Sequence, residues 1–148
     1  MNKNFILSAC KQVINYKITQ FNDALSELSE SANNESKSSA GDKHETSRAM
    51  IHLEQEKFGK QLLEWENQSN LLLKIDIQKQ SEAVVLGSLI ETNKGYFFIA
   101  TNIGKITVEE NDVMVISLHS PLGEQFQKFK EGDQFEFNKI QYQILKLG

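Results

Sequence analysis

Apolar side chains recur at helical spacing through two long stretches of the N-terminal half. In residues 4–32 they stand largely three, four or seven apart, with polar residues between them, at Ile6, Cys10, Val13, Ile14, Phe21, Ala24, Leu25 and Leu28. A second stripe, within Thr46 to Leu73, consists of Ile51, Phe58, Leu62, Trp65 and Leu72 and lies opposite a face rich in Glu and Lys. The pattern predicts two amphipathic helices whose apolar stripes are natural partners for each other.

The segment between the two stripes has the composition of a turn. Residues 33–42 read NNESKSSAGD, and Asn, Ser and Gly are poor in helix interiors and favoured in turns. We therefore expect an antiparallel helical hairpin over residues 1–76, with its bend near residues 38–41. Helices of roughly 28 residues, at about 1.5 Å per residue, would form a rod about 40 Å long.

The pattern changes after Ile75 to short runs rich in β-branched and aromatic residues. These runs are VVLGSLIE, GYFFIAT, KITVE, DVMVISL, DQFEFN and IQYQILKL, and polar turns separate them. Gly87 and Gly95 fit a bulge or a turn, whereas Ser120 and Pro121 suit the N-cap and first turn of one short helix. Residues 77–148 are therefore predicted to form a small antiparallel sheet with one short helix, which makes the chain α+β.

Composition narrows the classes of function. A formal net charge of -4 argues against a broad basic surface for nucleic acid, so any contact with RNA or DNA is expected only through a protein partner. No run approaches the roughly 18 apolar residues that cross a bilayer, and the start lacks a signal peptide, so we expect a cytoplasmic protein. The single cysteine, Cys10, cannot form an internal disulfide and is predicted to be a buried thiol.

Two carboxylates at the start of the second helix are the candidate metal ligands. Asp42 and Glu45 are three residues apart, so on a helical turn they face the same way, and carboxylate oxygens are the ligands that Mg²⁺ prefers. An alternative is a capping box, with Asp42 as the N-cap and Glu45 three residues later. The two roles are compatible, because a cap fixes the backbone that presents the acids.

Motifs of an independent enzyme are missing from the sequence. His44 and Glu45 begin an HExxH pattern, but Arg48 stands where the second His is required. Nor does the sequence contain a Gly-rich phosphate loop, a nucleophile elbow or a CxxC pair. The chain is therefore expected to have no catalytic activity of its own.

Three short motifs, in this order, carry a resemblance to a known family. GDKHE at 41–45 resembles the Gly-Asp-x-x-Glu of the Gre family of bacterial transcript-cleavage factors. SPLG at 120–123, followed by KEGDQFEF at 130–137, resembles that family's Ser-Pro segment and its Gly-Asp-Glu strand. With the order of helices and strands, the resemblance covers essentially the whole chain and implies a coiled-coil hairpin followed by an FKBP-like domain.

The resemblance implies a transcription elongation factor that binds RNA polymerase. Such a factor inserts its hairpin, here residues 1–76, through the secondary channel and binds through the C-terminal domain, here residues 77–148. Asp42 and Glu45 would then help to hold a Mg²⁺ ion shared with the polymerase, whose own active site cleaves backtracked RNA, while Ser120 and Pro121 would contact the channel rim. The factor would be a monomer when free and would have no cofactor of its own.

The tip departs from the family pattern immediately after Glu45. The family continues Asn-x-Glu-Tyr, whereas this chain has Thr46, Ser47, Arg48 and Ala49. This difference motivates an alternative, a secondary-channel regulator that does not stimulate cleavage. A more remote alternative is a prolyl isomerase or chaperone, because the FKBP-like fold occurs in proteins of differing function.

Overall fold

A computed structural model describes the backbone of residues 1–36 and 41–148, and the side chains of residues 1–34 and 45–148. The elements in chain order are α1 (Lys3–Ser36), α2 (Gly41–Leu72), β1 (Leu89–Thr92), β2 (Gly95–Ala100), β3 (Gly104–Val108), β4 (Asn111–Ser117), α3 (Pro121–Phe126), β5 (Gln134–Phe137) and β6 (Ile140–Leu147). Two long helices followed by a six-stranded sheet and a short helix confirm the predicted α+β class.

The two long helices extend further than the composition of the intervening segment predicted. Asn33 to Ser36 belong to α1, and Gly41 and Asp42 already belong to α2. Helix propensity is a weak preference, and adding a residue to an existing helix costs far less than starting one, so Asn and Ser can continue a long helix. The bend predicted near 38–41 falls largely on residues 37–40, outside the described residues.

Pairing of the two predicted stripes is visible at one aromatic contact. The ring centroids of Phe21 and Phe58 lie 5.8 Å apart at an interplanar angle of 58°. Phe21 lies well before the end of α1 and Phe58 lies a similar distance after the start of α2, as an antiparallel pair requires. The opposite face of α2 is solvated, with an ion pair of 3.2 Å between the exposed Lys60 and Glu56.

The sheet is mixed, which corrects the prediction that it is antiparallel. Its strand order is β3-β4-β2-β1-β6-β5, and the β2–β4 pair is parallel, with Phe98 opposite Val115. The other neighbouring strands are antiparallel. The chain leaves β2, forms β3 at the sheet edge and returns through a hairpin, so that β4 lies beside β2 in the same direction.

The predicted first strand begins later than its apolar run. Val84 and Val85 precede β1, and Gly87 has φ +91°, which interrupts extended backbone between them and Leu89. A Cβ at Gly87 would approach Cγ2 of Ile75 to 2.9 Å, so this position also requires glycine for space. The predicted turn role of Gly87 is therefore confirmed. Gly95, with φ +106°, likewise follows the β1–β2 turn.

An aromatic cluster on one face of the sheet forms the core under α3. Phe126 of α3 is fully buried, with ring centroids 5.1 Å from Phe97 and 5.3 Å from Phe135. Alternation predicts that only about half of the strand phenylalanines are buried, yet Phe97 and Phe98 both are. Since neighbouring residues of β2 point to opposite faces, both faces of the sheet are covered at this strand.

The described chain divides into two compact units. One contains Met1–Val13 and Asn70–Gly148, and therefore includes the sheet, α3 and the outer ends of both long helices; the other contains Ile14–Ser69. Ile6, Cys10 and Leu72 are almost fully buried in the first unit, although they lie on the helices. The boundary predicted between residues 76 and 77 stays a prediction.

Candidate functional site

The acidic pair lies in the first turns of α2. The helix begins at Gly41, so Asp42 is its second residue, and Glu45 follows on the next turn with an exposed side chain. The side chain of Asp42 is outside the described residues. The positive end of the helix dipole favours carboxylates in these first turns. Because the side chain of Asp42 is not described, the capping-box alternative stays a prediction.

The exposed Arg48 does not form an ion pair with Glu45. Arg48 lies one turn after Glu45 and is exposed. Among the side chains that are described, ion pairs within 4.0 Å join Lys60 to Glu56 and Lys105 to Asp112, and neither Glu45 nor Arg48 takes part in one. The carboxylate of Glu45 is therefore available to an external ligand.

Within the part of the chain that the structure describes, no group of three or more His, Cys, Asp or Glu residues could hold a metal ion. His52 and His119 are exposed and stand apart from the acidic pair in the sequence. Mg²⁺ requires about six oxygen ligands, so Asp42 and Glu45 fit the ion only as part of a site that a partner completes.

The hydroxyl group of Ser120 is occupied within its own turn. Ser120 Oγ donates to the carbonyl oxygen of Ser117 over 2.7 Å and accepts from the backbone N–H of Gly123 over 3.1 Å, which makes it the N-cap of α3. Gln127 Nε2 ties the same turn together by donating to the carbonyl of Leu118 over 2.7 Å. The predicted helix start is confirmed, and the hydroxyl of Ser120 has a structural role.

Pro121 is the member of this motif that faces solvent. It occupies the first position of α3 and is exposed, as are its neighbours His119 and Glu124. Gly123, by contrast, is buried, and a Cβ there would collide with the backbone oxygen of Ser117. The turn therefore presents Pro121 rigidly, because its hydrogen bonds and close packing fix the backbone on both sides.

The aromatic side chains of the sheet domain form a closed core. Phe129 stacks on Phe135 at 4.6 Å and 4°, and Phe135 stacks on Tyr142 at 5.4 Å. A cleft of about 560 Å³ lies away from this aromatic core and is lined by Gln80, Ser81, Glu82, Lys130, Glu131 and Leu147. The aromatic rings therefore fill one another's space in this core.

Two exposed apolar residues near the acidic pair lie outside the predicted stripe. Met50 and Leu53 of α2 are 63% and 66% exposed, whereas Ile51 and Phe58, on the stripe, are half-buried. Met50 and Leu53 were not among the residues predicted from the sequence, although apolar side chains between the positions of a stripe are a readable signal of a second apolar surface.

Comparisons with known proteins include a distant likeness to a solved structure. No protein-family model matches the chain, and no curated protein sequence matches it. Among solved structures, the chain is similar to the structure of the transcription factor Gfh1, at 15% identity and a TM-score of 0.38, over 94% of this chain and 93% of that chain. None of the described helices has an apolar stretch long enough to cross a membrane.

Proposed function

We propose that this protein is a Gre-like transcription factor that binds bacterial RNA polymerase and stimulates the polymerase to cleave backtracked RNA. The observation that carries the proposal is the position of the acidic pair in the first turns of a continuous helix of 32 residues, which is about 48 Å long. A helix of that length can carry Asp42 and Glu45 deep into a partner. The exposed carboxylate of Glu45 is free to act there.

In this proposal the chain supplies ligands and the polymerase supplies the remainder of the active site. Asp42 and Glu45 would contribute two oxygen ligands to a Mg²⁺ ion shared with the polymerase, and this ion would activate water for phosphodiester hydrolysis. The chain has no catalytic activity and no cofactor of its own. Since the partner is a cytoplasmic enzyme, the factor acts in the cytoplasm.

A stalled, backtracked elongation complex tests the role of the acidic pair. With the wild-type protein we expect RNA cleavage to accelerate, and with Asp42→Ala plus Glu45→Ala the acceleration falls by roughly tenfold or more, because two metal ligands are lost. The matched control is Asp23→Ala plus Glu27→Ala, which removes the same charge from two exposed acids of α1 and should leave cleavage unchanged. Equal cleavage by the wild type and the acidic-pair variant would refute the proposal.

The sheet domain is proposed to contact the polymerase through Pro121. Because the hydroxyl of Ser120 is used inside the turn, Pro121→Ala should weaken polymerase binding with little change in stability. Ser120→Ala should cost about 1 kcal/mol of stability through loss of the cap, and Ser120→Thr should restore it. Affinity measured on an immobilised polymerase, beside thermal unfolding, distinguishes the two effects.

A second candidate function is regulation of the polymerase without cleavage. The exposed Arg48, one turn after Glu45, favours it because a cation at this position would contact phosphates or polymerase carboxylates that a purely acidic tip would repel. The same assay separates the candidates, since a regulator would change RNA synthesis and give no cleavage product. Arg48→Ala should then weaken the effect on synthesis.

A further inference from the structure

A second cleft, of about 200 Å³, lies within the unit that contains the sheet. Its floor is formed by the sheet, where Glu91 of β1 stands opposite Tyr96 of β2 and opposite Lys146 of β6. Directly opposed residues share one face of a sheet, so these three side chains lie on the same face. Lys3, at the start of α1, and Ile77, in the segment before β1, line the other sides.

Two ammonium groups and one carboxylate line this cleft. Lys3, Lys146 and Glu91 take part in no ion pair within 4.0 Å with another described side chain. Lys3 is half-buried, and this burial lowers the pKa of its ammonium group, because the water that would solvate the charge is displaced. An anion beside Lys3 would replace the lost hydration through charge-assisted hydrogen bonds. The side chains of the cleft therefore favour a ligand with a single negative charge.

The remaining lining of the cleft is partly apolar. Leu89 and Ile77 are half-buried there, as is the ring of Tyr96. The volume is smaller than the roughly 300–1,000 Å³ of clefts for drug-sized molecules, so it suits a ligand of about ten non-hydrogen atoms. A bare inorganic ion would leave the apolar lining in contact with water, whereas an apolar body attached to the anion would remove it from water.

We propose that this cleft binds a small monocarboxylate whose apolar body fills it. The carboxylate lies between the ammonium groups of Lys3 and Lys146, and the body contacts Leu89 and the ring of Tyr96. Glu91 limits the charge of the ligand, because its carboxylate repels a dianion more strongly than a monoanion. Since α1, the segment before β1 and the sheet all contact the ligand, binding stabilises this unit against unfolding. The inference is independent of polymerase binding.

Calorimetric titration of the full chain with three small molecules tests the class of ligand. Benzoate combines an aromatic body with one carboxylate and should bind with a Kd of about 1 mM or below. Acetate lacks the body and benzylamine reverses the charge, so each should bind at least about tenfold more weakly. The absence of saturable benzoate binding up to about 10 mM, or an equal affinity for benzylamine, overturns the inference.

Variants of the full chain test the placement of the charges. Lys3→Met plus Lys146→Met removes both ammonium groups and should weaken benzoate binding by about tenfold or more. The matched control is Lys11→Met plus Lys94→Met, which removes two exposed lysines outside the cleft and should stay within about twofold of the wild type. Glu91→Gln removes the repulsion and should strengthen binding by about threefold or more.

Thermal unfolding without benzoate checks that each variant is folded. Equal affinities of the two lysine variants for benzoate, or weaker binding by the folded Glu91→Gln protein, overturn the inference. Because Glu91→Gln is expected to gain affinity, a loss of folding in the cleft lysine variant leaves the charge argument open to disproof.

Discussion

At the scale of single residues, the segment from Ser117 to Gly123 is where the structure explains a sequence motif most directly. Ser120 and Pro121 were selected from the sequence because they suit a helix start, and their positions in α3 confirm this. What the pattern could not reveal is that the Ser120 hydroxyl bridges Ser117 and Gly123, because both bonds depend on how β4 enters the turn. Of the two candidate contact residues, the structure therefore leaves the side chain of Pro121 facing solvent.

Gly123 should be irreplaceable even by alanine. Gly123→Ala places a Cβ against the carbonyl oxygen of Ser117 and 2.9 Å from Ser120 Oγ, so we expect a loss of about 1–3 kcal/mol in the free energy of unfolding. Urea unfolding measures it. The control is Gly59→Ala in α2, where no heavy atom lies within 4 Å of the new Cβ and a gain of about 0.5–1 kcal/mol is expected. The same sign for both substitutions would contradict this account of Gly123.

Cys10 should be inert in the folded protein. Burial raises the pKa of the Cys10 thiol to about 12, so the reactive thiolate is scarce at neutral pH and increases only as pH rises towards that value. At pH 8, we expect alkylation to be at least about a hundredfold slower in the native protein than in urea, where the thiol regains a pKa near 8.5. Mass spectrometry after timed quenching measures the rates, and rapid native labelling would show that Cys10 is accessible.

At the scale of elements, two hairpin turns were only partly predictable from amino-acid composition. The β3–β4 hairpin turns through Glu109 and Glu110, with φ values of 50° and 65°, and the β5–β6 hairpin through Asn138 and Lys139, with φ values of 48° and 64°. Two-residue hairpin loops with both φ values positive match the twist of the strands and favour Asn and Gly. The strands around Glu109 and Glu110 were predicted by their own alternation, since glutamate gives no turn signal.

Replacing Glu109 and Glu110, whose backbone has positive φ, should stabilise the protein. Glu109→Asn plus Glu110→Gly replaces two residues that are disfavoured at positive φ, so the free energy of unfolding should rise by about 1 kcal/mol or more. Thermal and urea unfolding measure the gain. Lys139→Gly is the corresponding substitution in the β5–β6 turn. The first position of this turn is already Asn138, so the gain in the free energy of unfolding should be smaller. Lower stability in both variants would contradict the strain assigned to these turns.

At the scale of the whole molecule, helix ends and sheet belong to one compact unit. Met1–Val13 and Asn70–Gly148 form that unit, in which Ile6, Leu7, Cys10 and Leu72 are buried. Ile6, Cys10 and Leu72 were predicted as members of the stripes that pair the helices, whereas Leu7 was not. Periodicity identified them as apolar and inward-facing, but it could not say against which surface they would be buried.

A fragment that begins at residue 77 should therefore be weakened. The fragment 77–148 lacks the buried Ile6, Leu7, Cys10 and Leu72, so we expect it to bind a hydrophobic dye and to melt below the full chain. The control joins residues 1–16 to residues 67–148 through a short Gly-Ser linker, which keeps these side chains and should restore much of the stability. Equal melting of fragment and full chain, without dye binding, would show that the sheet does not need the helix ends.

The sequence by itself determined the helices, most of the strands, the start of α3 and the buried thiol, because these depend on local spacing and propensity. Only the tertiary structure decided the parallel pairing of β2 with β4, the burial of both Phe97 and Phe98, and the requirement for glycine at 123. Each of these depends on segments that are brought together by folding.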